Sequence, residues 1–431
     1  MAIGNRTFHA RKRKDIFVGR DAEQNLFRAQ CQKLLTTGGG GVLNYYGIGG
    51  IGKSALLNRI MRELGGRAQY KNFIVLYHDF ANGTDLRDIL QAWKVALENL
   101  GCEFPYFDLG NFYLLLKEGN TDIDKPKMKS QLEKNPWLNR IKNSLNSTTN
   151  LSDAAVPGAV AITTIAEITA DALGIIPGVK TVNELARAFN NYLAANKTEA
   201  QLKKNESLLE ELERRAKLRT LDALKTYLPT LFAQDIFDWS NGEKNFVIFL
   251  DTCEVLTGGK KLGANNLRRD WWLIGDKDAD GLISMIPATL WVAASRNKLP
   301  WSGAEIISQR LDSLTDNETR AFLEKTQVEE SLHEKFLEAS KGYPIFLVEL
   351  ARKKNIADVR EEIIERTLRD LNATERTMLQ RLCALGKWTD EIARAEKFNP
   401  HTYRKLKELS FIQPAEEKFF TLDPTLQKIL S

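Results

Sequence analysis

Eight consecutive residues, Gly47-Ile48-Gly49-Gly50-Ile51-Gly52-Lys53-Ser54, constrain this chain more than anything else in it. They fit the pattern GxxxxGK[ST] at every position. Glycines let backbone N–H groups curl inward where a Cβ would collide, and successive amides turned to one point make a hollow for an anion. The apolar run VLNYYG precedes the loop. KSALLNRIMREL follows it, with Leu56, Leu57, Ile60 and Met61 on one helical stripe. A helix opening at the loop aims its N-terminal amides at the same hollow. The expected occupant is therefore a chain of phosphates, that of a purine nucleoside triphosphate such as ATP, or of ADP. Lys53 is placed for the β- and γ-phosphates and the Ser54 hydroxyl for Mg²⁺, with Ala55 next on the helix.

The flanking pattern predicts an α/β fold. FIVLYHDF (73–80), NFVIFLD (ending at Asp251), TLWVAASR (289–296) and IISQRL read as strands, with amphipathic helices between the early ones. Strand, glycine loop, helix, strand, helix implies a parallel sheet with helices on both faces. The stretch between the strand at 73–80 and the one ending at Asp251 is far longer than a single crossover needs, so residues from about 102 to 218 are expected to be a helical insertion. Its last part, KTEAQLKKNESLLEELERRAKL, is a charged amphipathic helix. The expected organisation is a flexible basic arm at 1–16, a P-loop NTPase domain at 17–310, a helical lid at 311–370 and a winged-helix domain at 371–431. The last of these is read from three short helices followed by a hairpin.

Three further residues carry candidate chemistry. Asp251 ends an apolar strand, on the sheet edge where the glycine loop lies, and a carboxylate there can hold Mg²⁺. Glu254, three residues on, can orient or deprotonate an attacking water; the plain alternative is an ordinary loop acid. Arg296 ends another strand, where a guanidinium can meet the γ-phosphate; the alternative is a local ion pair.

Taken in this order, the pieces resemble the STAND class of P-loop ATPases, signalling relatives of AAA+ proteins. VGRDAE (18–23) is similar to the class's VGRE box, which implies that Arg20 lies near the nucleotide base. LDTCE (250–254) resembles its hydrophobic-D-x-x-E strand end, in the bacterial form, and AASR its arginine-ended sensor strand. RLDSLTDNETRAFLEK resembles the entry to the lid, and Gly342-Tyr343-Pro344 its GxP box, whose proline (Pro344 here) packs on bound nucleotide. The resemblance covers about 17–100 and 240–431. It implies a slow Mg-ATPase that works as a switch, self-associates with ATP and answers to a sensor or effector protein. Many members carry a histidine late in the winged helix that touches the ADP β-phosphate. Asp423 stands at that place here, and an acid there would repel phosphate.

Composition narrows the field. A formal charge of +5 over 431 residues does not by itself mark a nucleic-acid binder. Four scattered cysteines and four scattered histidines have no metal-ligand spacing, and free thiols fit a reducing cytosol, so a cytoplasmic protein is expected. The most apolar stretch, 154–166, is too short to span a membrane. Two alternatives to the switch stay open. One is an Orc/Cdc6-like AAA+ protein using Arg404, Lys405 and Lys407 on duplex DNA, with Asp390, Glu391, Glu408, Glu416 and Glu417 nearby to weigh against it. The other is a nucleotide-binding scaffold without turnover.

Overall fold

A computed structural model of the chain describes residues 16–119, 207–208, 210–212, 214–215, 221–257, 269–275, 280–301, 305–368, 371–407, 412–415, 418–422 and 427. The basic arm up to residue 15, most of the expected insertion, and Glu408, Glu416, Glu417 and Asp423 lie outside the described residues. The described chain forms two compact units, one made of residues 1–96, 242–279 and 286–431, the other of 97–241 and 280–285.

The first unit is built on a five-stranded sheet. Its strands are β1 (Gly41–Tyr46), β2 (Ile74–Asp79), β3 (Phe246–Asp251), β4 (Thr289–Ser295) and β5 (Ile306–Arg310). They lie in the order β2-β3-β4-β1-β5, and every neighbouring pair is parallel. Burial explains the composition: every residue of β3 and β4 is buried, and both strands read as nearly unbroken apolar runs, as central parallel strands covered on both faces must. The edge strand β5 is only half-buried and carries Ser308, Gln309 and Arg310. Because β4 is inserted between β3 and β1, the loops after β1, β3 and β4 open side by side at one edge of the sheet.

Helix α1 (Asp21–Thr37) precedes β1, α2 (Lys53–Gly66) follows the glycine loop, and α3 (Leu86–Glu98) follows β2. The Phe27 ring of α1 lies 6.1 Å from Phe249 of β3. Trp93 of α3 stands 6.2 Å from Trp272 and 6.3 Å from Trp291 of β4. One polar residue breaks the apolar pattern of β1. Asn44 is fully buried, its amide donating to Ser295 Oγ at 2.9 Å and its carbonyl accepting from Leu299 N at 3.1 Å. A buried amide costs free energy unless it is satisfied, so these bonds tie β1 to the turn after β4.

In the second unit α4 (Pro105–Gly119) packs on α5 (Leu228–Ser240). Asp235 of α5 accepts from Tyr106 N at 3.1 Å and Phe107 N at 2.8 Å, so a side chain from another helix satisfies the open amides of α4. Phe104, Phe107 and Phe232 interlock beside it. The apolar face of α5 is buried against α4.

The sheet leads into four helices, α6 (Asp316–Lys325), α7 (His333–Ser340), α8 (Pro344–Lys353) and α9 (Ile356–Leu368). Thr315 and Glu318 close a reciprocal capping box at the start of α6. A C-terminal module follows with α10 (Ala373–Leu385), β6 (Lys387–Trp388), α11 (Asp390–Ala395), α12 (Pro400–Lys407), β7 (Ile412–Pro414) and β8 (Phe420–Leu422). Its three strands are antiparallel in the order β6-β8-β7. One continuous apolar core runs from Phe27 under the sheet through Phe322 and Leu347 to Leu406 and Leu422. Among the described residues no helix is long and apolar enough to cross a membrane.

Candidate nucleotide site

The glycine loop turns at the carboxyl end of β1, and its glycines answer to neighbours. Gly50 has φ 87°, and a Cβ there would stand 2.6 Å from Ile345 Cγ2, so the position excludes any other residue on two counts. A Cβ on Gly49 would meet the Arg296 guanidinium at 3.5 Å, which sets that cation against the loop.

Lys53, first residue of α2, is buried, and its ammonium donates to Gly47 O at 2.7 Å and Ile48 O at 3.0 Å. It forms no ion pair among the described residues. Burial pushes its pKa down to about 8; Glu254 and Asp251 oppose the shift and Arg296 adds to it. A buried ammonium bonded to carbonyls alone carries a charge that an anion can neutralise. Together with the glycine cradle, this is the observation that fits phosphate to the loop.

Asp251 ends β3 in register with Asp79 at the end of β2. Burial raises the Asp251 pKa and Asp79 adds to it, while a hydrogen bond from Ser54, another from Thr252 N at 2.8 Å, and the Lys53 charge oppose the rise. Ser54 and Asp251, already in contact, are a donor set that suits Mg²⁺, which takes one or two carboxylates and leaves its other positions to water and phosphate. Among the described residues no cluster of three or more His, Cys, Asp or Glu forms a fuller cage.

The turn after Asp251 is pinned from both sides. Thr252 sits at φ 59°, uncommon for a β-branched residue, and its hydroxyl donates to Asp79 Oδ1 at 2.8 Å. Cys253 N donates to Ala294 O of β4 at 2.9 Å. So held, the turn delivers Glu254 to Arg296. Glu254 Oε1 lies 3.2 Å from Arg296 Nε, and Oε2 accepts from the Arg296 backbone N at 3.1 Å.

The helices that follow the sheet reach the same loop. Tyr343, fully buried, donates its hydroxyl to Gly49 O, and Ile345 N donates to Gly50 O at 3.3 Å. Pro344 opens α8, where its missing N–H is harmless, and its Cγ lies 3.9 Å from where a Cβ on Gly52 would stand. Gly342, at φ 73°, leaves no room for a side chain: a Cβ would fall 1.9 Å from Leu314 O.

Arg20 stands elsewhere on the loop. Its Nη2 donates to Ile51 O at 3.0 Å and Asp312 O at 2.6 Å, and its Nη1 to Glu23 at 3.3 Å. Its backbone N donates to Glu318 Oε1 at 3.1 Å. The side chain is buried and bridges the loop to Asp312, just before α6.

Of the residues singled out in the sequence, the structure gathers Gly47, Ile48, Gly49, Gly50, Ile51, Gly52, Lys53, Ser54, Asp251, Glu254, Arg296 and Pro344 at one sheet edge, with Ala55 exposed on the adjoining helix. Sequence reading passed over Asp79, Thr252, Asn44 and the tyrosine of GYP. An acid closing the strand beside that of Asp251 was a visible signal for Asp79. For Asn44 and Tyr343 no local signal exists, since their partners lie 251 and 294 residues away.

No protein-family model and no curated protein matches this chain. Among solved structures it is similar to a Pyrococcus horikoshii signal transduction ATPase with numerous domains that carries a tetratricopeptide repeat sensor. Identity is 14%, TM-score 0.32, and the match covers 97% of this chain and 43% of that one, so this chain spans less than half its length. It is also similar to the Aeropyrum pernix ORC2 protein in ADPNP–ADP complexes (12% identity, TM-score 0.38, 95% and 92% covered). The third is the ORC1 protein of the same organism in complex with DNA (12% identity, TM-score 0.33, 97% and 93% covered). At such scores the fold is read from the chain itself. A glycine loop after β1, in a parallel sheet ordered β2-β3-β4-β1-β5, is the α/β fold of a P-loop NTPase.

Proposed function

We propose that this chain is a STAND-class switch that binds Mg-ATP, hydrolyses it slowly and passes the state of the nucleotide to its lid. The observation that carries the reading is the grip of Tyr343 and Ile345 on the carbonyls of Gly49 and Gly50. A phosphate cradled by the loop amides acts on the same peptides from the other side, so loop and lid cannot move independently.

In this reading Gly47 to Ala55 bind the phosphates, Lys53 neutralises the β- and γ-oxygens, and Arg296 meets the γ-phosphate. Ser54 and Asp251 hold Mg²⁺, which supplies charge neutralisation at the transferred group. Glu254 orients and deprotonates the attacking water. The proposed domains are a basic arm (1–16), the NTPase domain (17–310, with an insertion at about 102–218), the lid (311–370) and a winged helix (371–431). ATP-dependent self-association and a separate sensor or effector partner complete the proposal. Contact with duplex DNA stays secondary, because two of the three basic residues it needs on α12 are already in ion pairs with Glu375 and Asp390.

Isothermal titration with ATP and Mg²⁺ tests the site: Lys53→Ala should weaken binding about 100-fold, the scale of two charge-assisted hydrogen bonds. An affinity within threefold of wild type would remove the assignment. Turnover is tested separately. Glu254→Gln should slow single-turnover hydrolysis by about 10²–10⁴-fold. An unchanged rate would leave a nucleotide-binding scaffold.

A further inference from the structure

Glu254 and Arg296 enter the proposed reaction in different roles, yet here they hold each other. We infer that they form a latch that occupies the general base until a γ-phosphate takes Arg296 away. The inference rests on the nucleotide site proposed above and adds its regulation.

Both carboxylate oxygens of Glu254 are engaged, Oε1 by the guanidinium edge and Oε2 by the backbone N–H of the same arginine. A carboxylate so bound has fewer lone pairs left to accept from a water. The guanidinium is also 3.5 Å from the Cβ position of Gly49, so it need not travel far to reach a phosphate on the loop. Carboxylate and phosphate compete for the same planar fork of donors. About a fifth of each side chain is exposed, so water can cover either group during the exchange.

The backbone around the pair does not yield. Thr252 is tied to Asp79, Cys253 to Ala294, and the turn after β4 to Asn44. What stands between the loop and Glu254 is the partly exposed arginine side chain, which can turn toward either. A diphosphate brings no competitor and leaves the latch closed. A triphosphate opens it, and Glu254 then takes the proton of a water whose oxygen bonds to phosphorus as the bond to the ADP oxygen breaks.

A double-mutant cycle on binding tests the latch without turnover. Dissociation constants for ADP and for a non-hydrolysable β,γ-imido analogue of ATP, with Mg²⁺, would be measured for wild type, Glu254→Gln, Arg296→Ala and the double variant. Freeing Arg296 should raise the preference for triphosphate over diphosphate about tenfold in Glu254→Gln, the scale of one charge-assisted bond. The double variant should show no rise above Arg296→Ala. A rise of equal size in both backgrounds would mean that Glu254 acts only as a negative charge, and would overturn the latch. No rise in either would overturn it as well. If thermal melting shows that Arg296→Ala does not fold, Arg296→Gln, which keeps most of the length, replaces it in the cycle. Failure of the site itself reads differently, as loss of the Lys53 dependence in the titration.

Discussion

The first unit handles its cations in two opposite ways. On α12 of the C-terminal module, Lys405 reaches Glu375 at 2.5 Å, and Lys407 reaches Asp390 at 2.8 Å while its ammonium lies 4.0 Å from the Phe420 ring centre. Those carboxylates respond. The lysine beside each holds its pKa below the ordinary range against burial, and for Asp390 that hydrogen bond is the leading cause. At the glycine loop Lys53 is more deeply buried than either, yet only carbonyls receive its protons. On α12 the two lysines are held by carboxylates, whereas the carbonyls around Lys53 leave its charge without a counter-ion partner among the described residues. The same residue type in a sequence string conceals that difference.

The comparison can be broken first at Lys53 through pH. Burial lowers its pKa to about 8, and an anion on the loop would raise it again, so the bound state holds more protons than the free state around pH 8. Binding of ATP at pH 8 should then take up about half a proton, and affinity should fall by up to about tenfold per pH unit above that point. Calorimetry in two buffers of different ionisation enthalpy reads the uptake directly. Uptake that persists in Lys53→Ala would move it to another group.

A smaller effect is expected at the joint between loop and lid. Tyr343→Phe deletes one hydroxyl bond to Gly49 and keeps the buried ring, so nucleotide affinity should change about three- to tenfold, one neutral hydrogen bond's worth. Protease sensitivity of the lid should become less dependent on nucleotide. Unaltered dependence on both counts would leave the coupling to Ile345 and Pro344.

The smallest effect on the site should come from α12. Changing Arg404, Lys405 and Lys407 together to Ala should leave ATP affinity within about twofold. It should lower stability by roughly 1–2 kcal/mol, since partly exposed pairs are individually weak. The sign with pH is fixed: Glu375 and Asp390 have folded pKa values below their unfolded ones, so the stabilisation is present at neutral pH and is lost as pH falls through the acid range. In thermal melts the gap between wild type and variant should be smaller at pH 3.5 than at pH 7. A large drop in duplex-DNA affinity, with the salt dependence reduced by about one per cation removed, would make these residues a binding surface instead.

The five strands of the sheet were all legible, because buried parallel strands announce themselves as apolar runs bounded by turns. The two-residue β6 was not. Lys387 and Trp388 are too few for any periodicity, and only their pairing with Phe420 and Thr421 makes them a strand. Nor was the pairing of α5 with α4, since it depends on Asp235 accepting from amides of a helix that begins 130 residues earlier. Glu318 was legible as part of the lid-entry pattern, but not its bond to the backbone of Arg20.

What the sequence determined by itself was local chemistry: a loop that only glycines can make, a lysine and a serine at its end, acids and an arginine at strand ends. Each follows from residue type and spacing within a dozen positions, where backbone geometry leaves little freedom. What the tertiary structure decided was who meets whom. The order β2-β3-β4-β1-β5 sets the end of β4 between the glycine loop and the end of β3, and so hands Arg296 to Glu254. The packing of α6 to α8 then brings Tyr343 back to Gly49 across 294 residues. Pairings at such separations depend on how strands shuffle and helices pack, a global minimum over the whole core, and no window of sequence contains it.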